Sequence, residues 1–118
     1  MASARRPKLA LSLGSDRSAV NGLNESNLQY AAQLGATHVV FSDEAGLWLD
    51  KSAGYWQEDE LRGVRETIEA GGLRIAAIEN FPADHWDQIL LGREPGRTRQ
   101  MLNLRRTIAN MGRAGIPW

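Results

Sequence analysis

The stretch that decides the fold is GGLRIAAIEN, residues 71–80. Its two glycines end a helix-like segment, and the apolar run from Leu73 to Ile78 is typical of a strand in a parallel sheet. Glu79 and Asn80 follow that run without a spacer. A helix stop, a strand and a polar exit in direct succession indicate alternating strands and helices, and they make the carboxyl end of this strand a candidate site.

The same order of segments occurs before and after this stretch. LALSL (9–13) and the β-branched THVVFS (37–42) are the other predicted strands, and LRIAAIE (73–79) is the third. Helices are predicted over residues 24–35, over about 58–70, and from about Arg97 to Gly115, and IPW (116–118) is predicted to begin a fourth strand. Strands that alternate with helices in this way predict a parallel sheet buried on both faces.

Apolar residues at helical spacing predict which side of each helix is buried. Asn24 is the predicted N-cap of the first helix, where Leu23 and Leu28 have the spacing of a hydrophobic staple. The predicted buried residues are Leu61, Val64 and Ile68 in the second helix and Met101, Leu104, Ile108 and Met111 in the third. The loop before the third helix is expected to hold a short helical turn at residues 89–91.

The 118 residues contain no linker or low-complexity segment, which predicts one domain. Three βα units and the start of a fourth strand do not close a sheet, and an eight-unit barrel needs about 250 residues. We therefore expect residues 1–118 to be a partial barrel domain truncated in its fourth strand, with a flexible tail at 1–8. Alone, such a fragment is expected to be inactive and to fold poorly or associate.

Composition excludes several classes of function. The formal net charge is zero, so no overall field attracts nucleic acid or a membrane surface. The sequence has no cysteine, which excludes disulfides and thiolate metal sites in this segment. The apolar run after the basic N-terminus is too short for a secretory signal or a membrane span. These features predict a cytoplasmic protein that binds neither nucleic acid nor membrane.

Three predicted strands end in polar residues, and such ends form the reactive face of parallel βα proteins. The first two ends, residues 14–16 and 42–44, are polar as any chain leaving a core must be. Glu79 and Asn80 are the stronger candidates because they directly follow a buried residue, and His85 in the next loop is placed near the mouth of the same pocket. No histidine spacing indicates a complete metal site.

Arginines and tryptophans leave two interpretations open. Six arginines lie between residues 93 and 113 against one acid, and Arg99, Arg106 and Arg113 recur every seven residues. They form either a phosphate-binding face or the charged outer face that a barrel helix needs. Tryptophans 48, 56 and 86 all fall in loops after strands, where they serve either as sugar-stacking platforms or as lids that pack on themselves.

The segment ENFPADHWDQILLGREPGRTRQMLNLRRTIANMGRAGIPW, residues 79–118, resembles the corresponding part of the D-mannonate dehydratases. LGATHVVFS and the Trp before the second helix are also similar, so the resemblance spans most of residues 30–118. The shared features are an acidic strand end, a Pro-containing loop, the pair Gly96-Arg97, then Asn103, Arg106-Thr107, Asn110 and Ala114-Gly115-Ile116.

The resemblance implies a xylose isomerase-like (β/α)8 TIM barrel, of which this chain is the N-terminal α/β part. It implies dehydration of D-mannonate to 2-keto-3-deoxy-D-gluconate in hexuronate breakdown, by an enzyme that takes a small sugar acid. A homo-oligomer is compatible with the sequence, which does not fix the oligomeric state. It also implies a divalent metal, Mn²⁺ or Fe²⁺, whose ligands are expected downstream of this chain. Glu79, Asn80 and His85 are then expected to bind substrate, with no catalytic residue in this segment.

Two alternatives remain. One is another xylose isomerase-like sugar isomerase or epimerase, in which a strand-end carboxylate such as Glu79 would serve as a metal ligand. The other is a non-catalytic fragment that binds an anionic partner through the arginine-rich helix.

Overall fold

A computed structural model describes residues 7–118 of the chain. Most of the tail predicted at residues 1–8 therefore lies outside the described residues. Pro7 and Lys8, which are described, precede the first strand and have no regular secondary structure.

Three strands form one parallel sheet in the order β1-β2-β3. Its register sets Gly14 beside Ser42, and Ser42 beside Glu79. The elements in chain order are β1 (Ala10–Gly14), α1 (Glu25–Gln33), β2 (His38–Ser42), α2 (Glu58–Ala70), β3 (Arg74–Glu79), a 3₁₀ turn (Ala83–His85), α3 (Asp87–Leu91) and α4 (Gly96–Arg113). The predicted alternation of strands and helices is confirmed.

The first two helices follow their sequence signals. Asn24 caps α1, because its side chain accepts a hydrogen bond from the Asn27 amide at 2.8 Å. Leu23 and Leu28 are both buried, as the staple pattern predicts. In α2 the predicted bounds are confirmed, and so is the predicted buried stripe of Leu61, Val64 and Ile68.

One face of the sheet packs on the helices and forms the core. Its strand residues are Leu13, Val39, Phe41, Ile75 and Ile78, all buried. On the other face most side chains are at least partly exposed, such as Ser12 on β1 and Val40 on β2, and Ser42 at the end of β2 is buried. Burial on both faces, which the apolar runs predict, is therefore not found among the described residues. In a barrel this second face points inward.

The predicted buried stripe of the last helix is wrong. Met101 is 45% exposed and Ile108 is 62% exposed, and only Met111 of the four predicted residues is buried. The side of α4 that faces the protein carries polar groups instead. Thr107 accepts a hydrogen bond from the Trp56 amide at 3.1 Å, and Asn110 donates one to the Trp56 carbonyl at 2.6 Å. These buried hydrogen bonds fix the helix about a quarter turn away from the apolar stripe.

The final residues run along the open edge of β3. The Ile78 amide donates a hydrogen bond to the Trp118 carbonyl at 2.8 Å. Residues 116–118 have no strand assignment, yet this bond places them where the sequence predicts a fourth strand. The sheet therefore continues in the order β1-β2-β3 toward a fourth position, as consecutive βα units of a barrel do.

Candidate functional site

The carboxyl ends of the three strands surround a cavity of about 290 Å³. Parallel strands bring these ends to one edge of the sheet, so residues far apart in the chain become neighbours. Among residues 7–118, no lysine, arginine or histidine lines the cavity. Its hydrogen-bonding side chains include Ser12, Ser15, Asp16, Ser42, Glu44 and Glu79.

Glu79 ends β3 and points across the open face of the sheet. The Ser12 hydroxyl, two strands away, donates a hydrogen bond to Glu79 Oε1 at 2.9 Å. This bond fixes the direction of an exposed carboxylate at the wall of the cavity. Glu79 thus lies at the carboxyl edge of the sheet, where its position after Ile78 predicts it.

Asn80 adopts the left-handed backbone conformation, with φ +61°. Among non-glycine residues asparagine tolerates this region best. Its side-chain amide donates to Glu44 Oε1 at 2.9 Å and lies 3.4 Å from Ser42 Oγ. The sharp turn at Asn80 therefore connects the end of β3 to the end of β2 and orients the Glu44 carboxylate.

The other two strand-end acids organise their own loops. Asp43 is buried, and its carboxylate accepts the amides of residues 47, 48 and 49 at 2.9, 3.1 and 2.7 Å. Asp16 accepts the hydroxyl and the amide of Ser18, and these bonds hold the pKa of Asp16 below its usual value. The acids that are held at the cavity by other strands are therefore Glu44 and Glu79.

His85 lies in the interior behind the loop that follows Asn80. It is 1% exposed, its Nε2 is 3.2 Å from the Lys51 carbonyl oxygen, and its ring centroid is 6.3 Å from that of Trp56. Its Nδ1 has no hydrogen-bond partner among the described residues. Glu79 lines the cavity, whereas Asn80 and His85 are not among its lining residues, and Asn80 reaches it through its bond to Glu44. That Asn80 lines the substrate pocket stays a prediction. A substrate contact of His85 stays a prediction.

Ser12 and Glu44 are the site residues that sequence reasoning missed. A serine inside LALSL has no local signal, because its distance to Glu79 depends on the pairing of three strands. Glu44 does stand at a predicted strand end, but its neighbour Asp43 carries the same signal and has a structural role. Only the three-dimensional register separates the two acids.

The loop tryptophans mostly support the fold. Trp56 is buried and stacks on Phe81 with ring centroids 4.9 Å apart. Trp48 packs edge-on against Phe41 at 6.1 Å, under the guanidinium of Arg17 at 4.0 Å. Of the two interpretations open for them, packing within the protein describes both of these residues.

Two of the three regularly spaced arginines have partners within the protein. Arg113 bonds Glu58 at 2.8 Å, and this contact is the main cause of the lowered pKa of Glu58. The guanidinium of Arg106 lies over the Tyr55 ring at 5.3 Å. These contacts are those of a charged outer helix that packs against its neighbour.

The described residues do not fit a divalent metal on their own. Within residues 7–118 no group of three or more His, Cys, Asp or Glu side chains could hold a metal ion. This segment therefore supplies no complete metal centre. In the same range, no helix has the length and apolarity to cross a membrane.

Comparison with known proteins identifies the family. Residues 20–118 match the family model for D-mannonate dehydratase (UxuA). A mannonate dehydratase of Streptococcus equi subsp. zooepidemicus is 36% identical over 62 residues, which are 52% of this chain and 16% of that protein. The enzyme of Streptococcus uberis is 38% identical over 61 residues, or 52% of this chain and 17% of that protein. The matched region is thus about a sixth of each curated relative.

A solved structure shows the same fold. The crystal structure of mannonate dehydratase from Streptococcus suis serotype 2 superposes with a TM-score of 0.72 at 24% identity. The match covers 95% of this chain and 29% of that one. The parallel three-stranded sheet and its helices are therefore the N-terminal part of a TIM-barrel-like α/β fold, which confirms the predicted fold class.

Proposed function

Because the chain belongs to the D-mannonate dehydratase family, we propose that the complete protein converts D-mannonate to 2-keto-3-deoxy-D-gluconate and water. The observation that carries the proposal is the family match over residues 20–118, which includes two of the three strand ends at the cavity, those of Glu44 and Glu79. The protein would then be a hydro-lyase of hexuronate breakdown. A cytoplasmic location and a homo-oligomeric state belong to the same proposal.

The reaction removes a proton from carbon 2 and the hydroxyl group from carbon 3, and the resulting enol becomes the 2-keto product. Charge develops on the substrate carboxylate when the proton leaves, and a divalent cation, Mn²⁺ or Fe²⁺, would stabilise it. The described residues do not complete a site for that cation. We therefore assign the cation and the base to parts of the complete protein outside this segment.

Glu79 and Asn80 have a binding and orienting role in this proposal. The carboxylate of Glu79, held by Ser12, accepts a hydrogen bond from a substrate hydroxyl. Asn80 holds the edge of the pocket through Glu44. Hydrogen bonds to specific hydroxyls discriminate strongly between sugars, because a wrong ligand leaves the polar groups of the site unpaired. His85 is proposed as a third site residue, which in the described packing acts through the loop that it supports.

Steady-state kinetics of the complete protein test the function. We expect D-mannonate to yield 2-keto-3-deoxygluconate when Mn²⁺ or Fe²⁺ is present, and the rate to fall to background after chelation. Parallel assays with aldoses test the isomerase alternative. Isomerisation of an aldose without dehydration of any aldonate would contradict the proposal.

A further inference from the structure

The cavity at the carboxyl edge has the composition of a polyol site. Three carboxylates and three serines line it, and none of the lining residues in the described part of the chain is cationic. A sugar acid has a carboxylate at one end and a chain of hydroxyls at the other. Carboxylates at the cavity repel the first end and accept hydrogen bonds from the second.

Two buried hydroxyls in the cavity are available as donors. Ser15 and Ser42 are only 5% and 8% exposed, and both line the cavity. Their oxygens receive one long contact each, at 3.4 Å, from the Ala45 amide and from Asn80. Among residues 7–118 neither hydroxyl has a recorded acceptor for its own hydrogen. Each hydroxyl therefore keeps its hydrogen available for a ligand that accepts hydrogen bonds.

The acceptors of the cavity are oriented in a matching way. One oxygen of Glu44 is held by Asn80 at 2.9 Å, and one oxygen of Glu79 is held by Ser12 at 2.9 Å. Both partners are neutral side chains, so neither carboxylate is paired with a cation there, and each has a second oxygen for a ligand. Donors and acceptors side by side fit a chain of hydroxyls, whereas a bare cation would use only the acceptors.

We propose that this cavity binds the end of the sugar acid distal to its carboxylate. Glu44 and Ser42 would then determine the chain length of the sugar acid that the enzyme accepts. The inference rests on the proposed function and adds the orientation in which the substrate binds. The substrate carboxylate would face the parts of the barrel that lie outside the described residues. The distal hydroxyls would lie between β1, β2 and β3.

The test compares two substrates and two variants in the complete protein. The substrates are D-mannonate and the four-carbon aldonate with the same configuration at carbons 2 and 3, which lacks the last two carbons. We expect Glu44→Gln to lower kcat/KM for D-mannonate roughly tenfold or more, mostly through KM. The same change should alter kcat/KM for the four-carbon acid by less than about threefold. Glu66→Gln on the outer helix α2 is the matched control, with no change for either substrate.

An equal loss for the two substrates would overturn the proposal, because Glu44 would then act near the reacting carbons. Loss of bound metal in Glu44→Gln, measured by elemental analysis, would also overturn it by assigning the cavity to a cation. Ser42→Ala, with circular dichroism melting of both variants, separates these effects from misfolding. It should show the same dependence on substrate length.

If the wild-type protein were inactive on both acids, the proposed function would be contradicted. The binding of a polyol in the cavity could still be tested separately. Saturation-transfer NMR with D-mannitol, a neutral six-carbon polyol, is then the probe. Transfer to the wild type and its loss in Glu44→Gln would support the cavity as a polyol site. Absence of transfer to the wild type would reject it.

Discussion

The two ends of the sheet differ in size and in charge. At the amino ends of the strands an open cavity of about 1150 Å³ is lined by the basic side chains of Lys8, His38 and Arg74, among others. At the carboxyl ends the cavity is only about 290 Å³ and is lined by acids and serines. By volume alone the amino end would be chosen as the functional site.

The apolar lining of the larger cavity argues against that choice. Ile75, Ile116 and Trp118 line it, and Trp118 is 81% exposed. These residues stand at the open edge of β3, where further strands of a barrel would cover them. In such barrels the amino end serves stability and the carboxyl end serves catalysis. Changes at the amino end should therefore alter stability, and changes at the carboxyl end should alter turnover.

Trp56→Ala should have the largest effect. Although Trp56 lies next to the carboxyl-end site, its replacement should lower the stability of the protein. Trp56 is buried, stacks on Phe81 next to the site, and exchanges backbone hydrogen bonds with Thr107 and Asn110. Its removal should lower the free energy of unfolding by about 3–5 kcal/mol. Chemical denaturation of the complete protein measures this. Trp86→Ala, at a residue 38% exposed, is the control with a smaller expected loss. Equal losses would show that the stack carries no special weight.

Asn80→Ala tests the carboxyl end directly. It removes the donor that orients Glu44, so kcat/KM for D-mannonate should fall. The fall should correspond to a loss of about 1–3 kcal/mol in the free energy of transition-state binding. Glu79→Gln keeps the shape of the side chain and removes its charge, which separates electrostatics from packing. Arg74→Gln at the amino end should keep the wild-type kcat/KM. If both carboxyl-end variants kept wild-type kinetics and only their melting temperatures changed, the site role of these residues would be contradicted. They would then serve only where the chain leaves the strand.

Local signals in the sequence predicted most of the fold. The glycines after each helix and the N-cap at Asn24 act within a few residues, so the element order and the bounds of α2 follow from them. In α4 a long-range effect decides. Thr107 and Asn110 bury their polar groups because the Trp56 backbone needs partners, and no apolar periodicity records that need.

The candidate site was predicted in part for the same reason. Glu79 and Asn80 are adjacent in sequence, so the end of one strand indicates both. Ser12 and Glu44 reach the cavity only through the pairing of three strands and the left-handed turn at Asn80. Such contacts depend on tertiary register, which a single strand pattern does not contain.

A second change at Asn80 separates backbone from side chain. The left-handed conformation at φ +61° is open to glycine, whereas alanine is strained there. The free energy of unfolding of Asn80→Gly should therefore be about 1 kcal/mol higher than that of Asn80→Ala. Both variants lack the amide and should lose the same kcat/KM. A variant pair that differs in turnover as well as in stability would show that backbone strain, and not the amide, positions Glu44.

His38 should produce the smallest effect, at the amino end. Burial is the main cause of its lowered pKa, and the charges of Lys8 and Arg74 add to it. The unfolded chain therefore binds the proton more readily, with an ordinary pKa of about 6.5. The stability that His38 contributes is complete above that pH and is lost as the pH falls through its folded pKa.

Denaturation midpoints at about pH 7.5 and pH 5.5, either side of that value, should differ less in His38→Gln than in the wild type. Arg74→Gln should give an intermediate difference, because it removes one of the repelling charges, and kcat/KM at pH 7.5 should be unchanged in both variants. An unchanged pH dependence in His38→Gln would assign the acid sensitivity to other groups, and a fall in turnover would place function at the amino end as well.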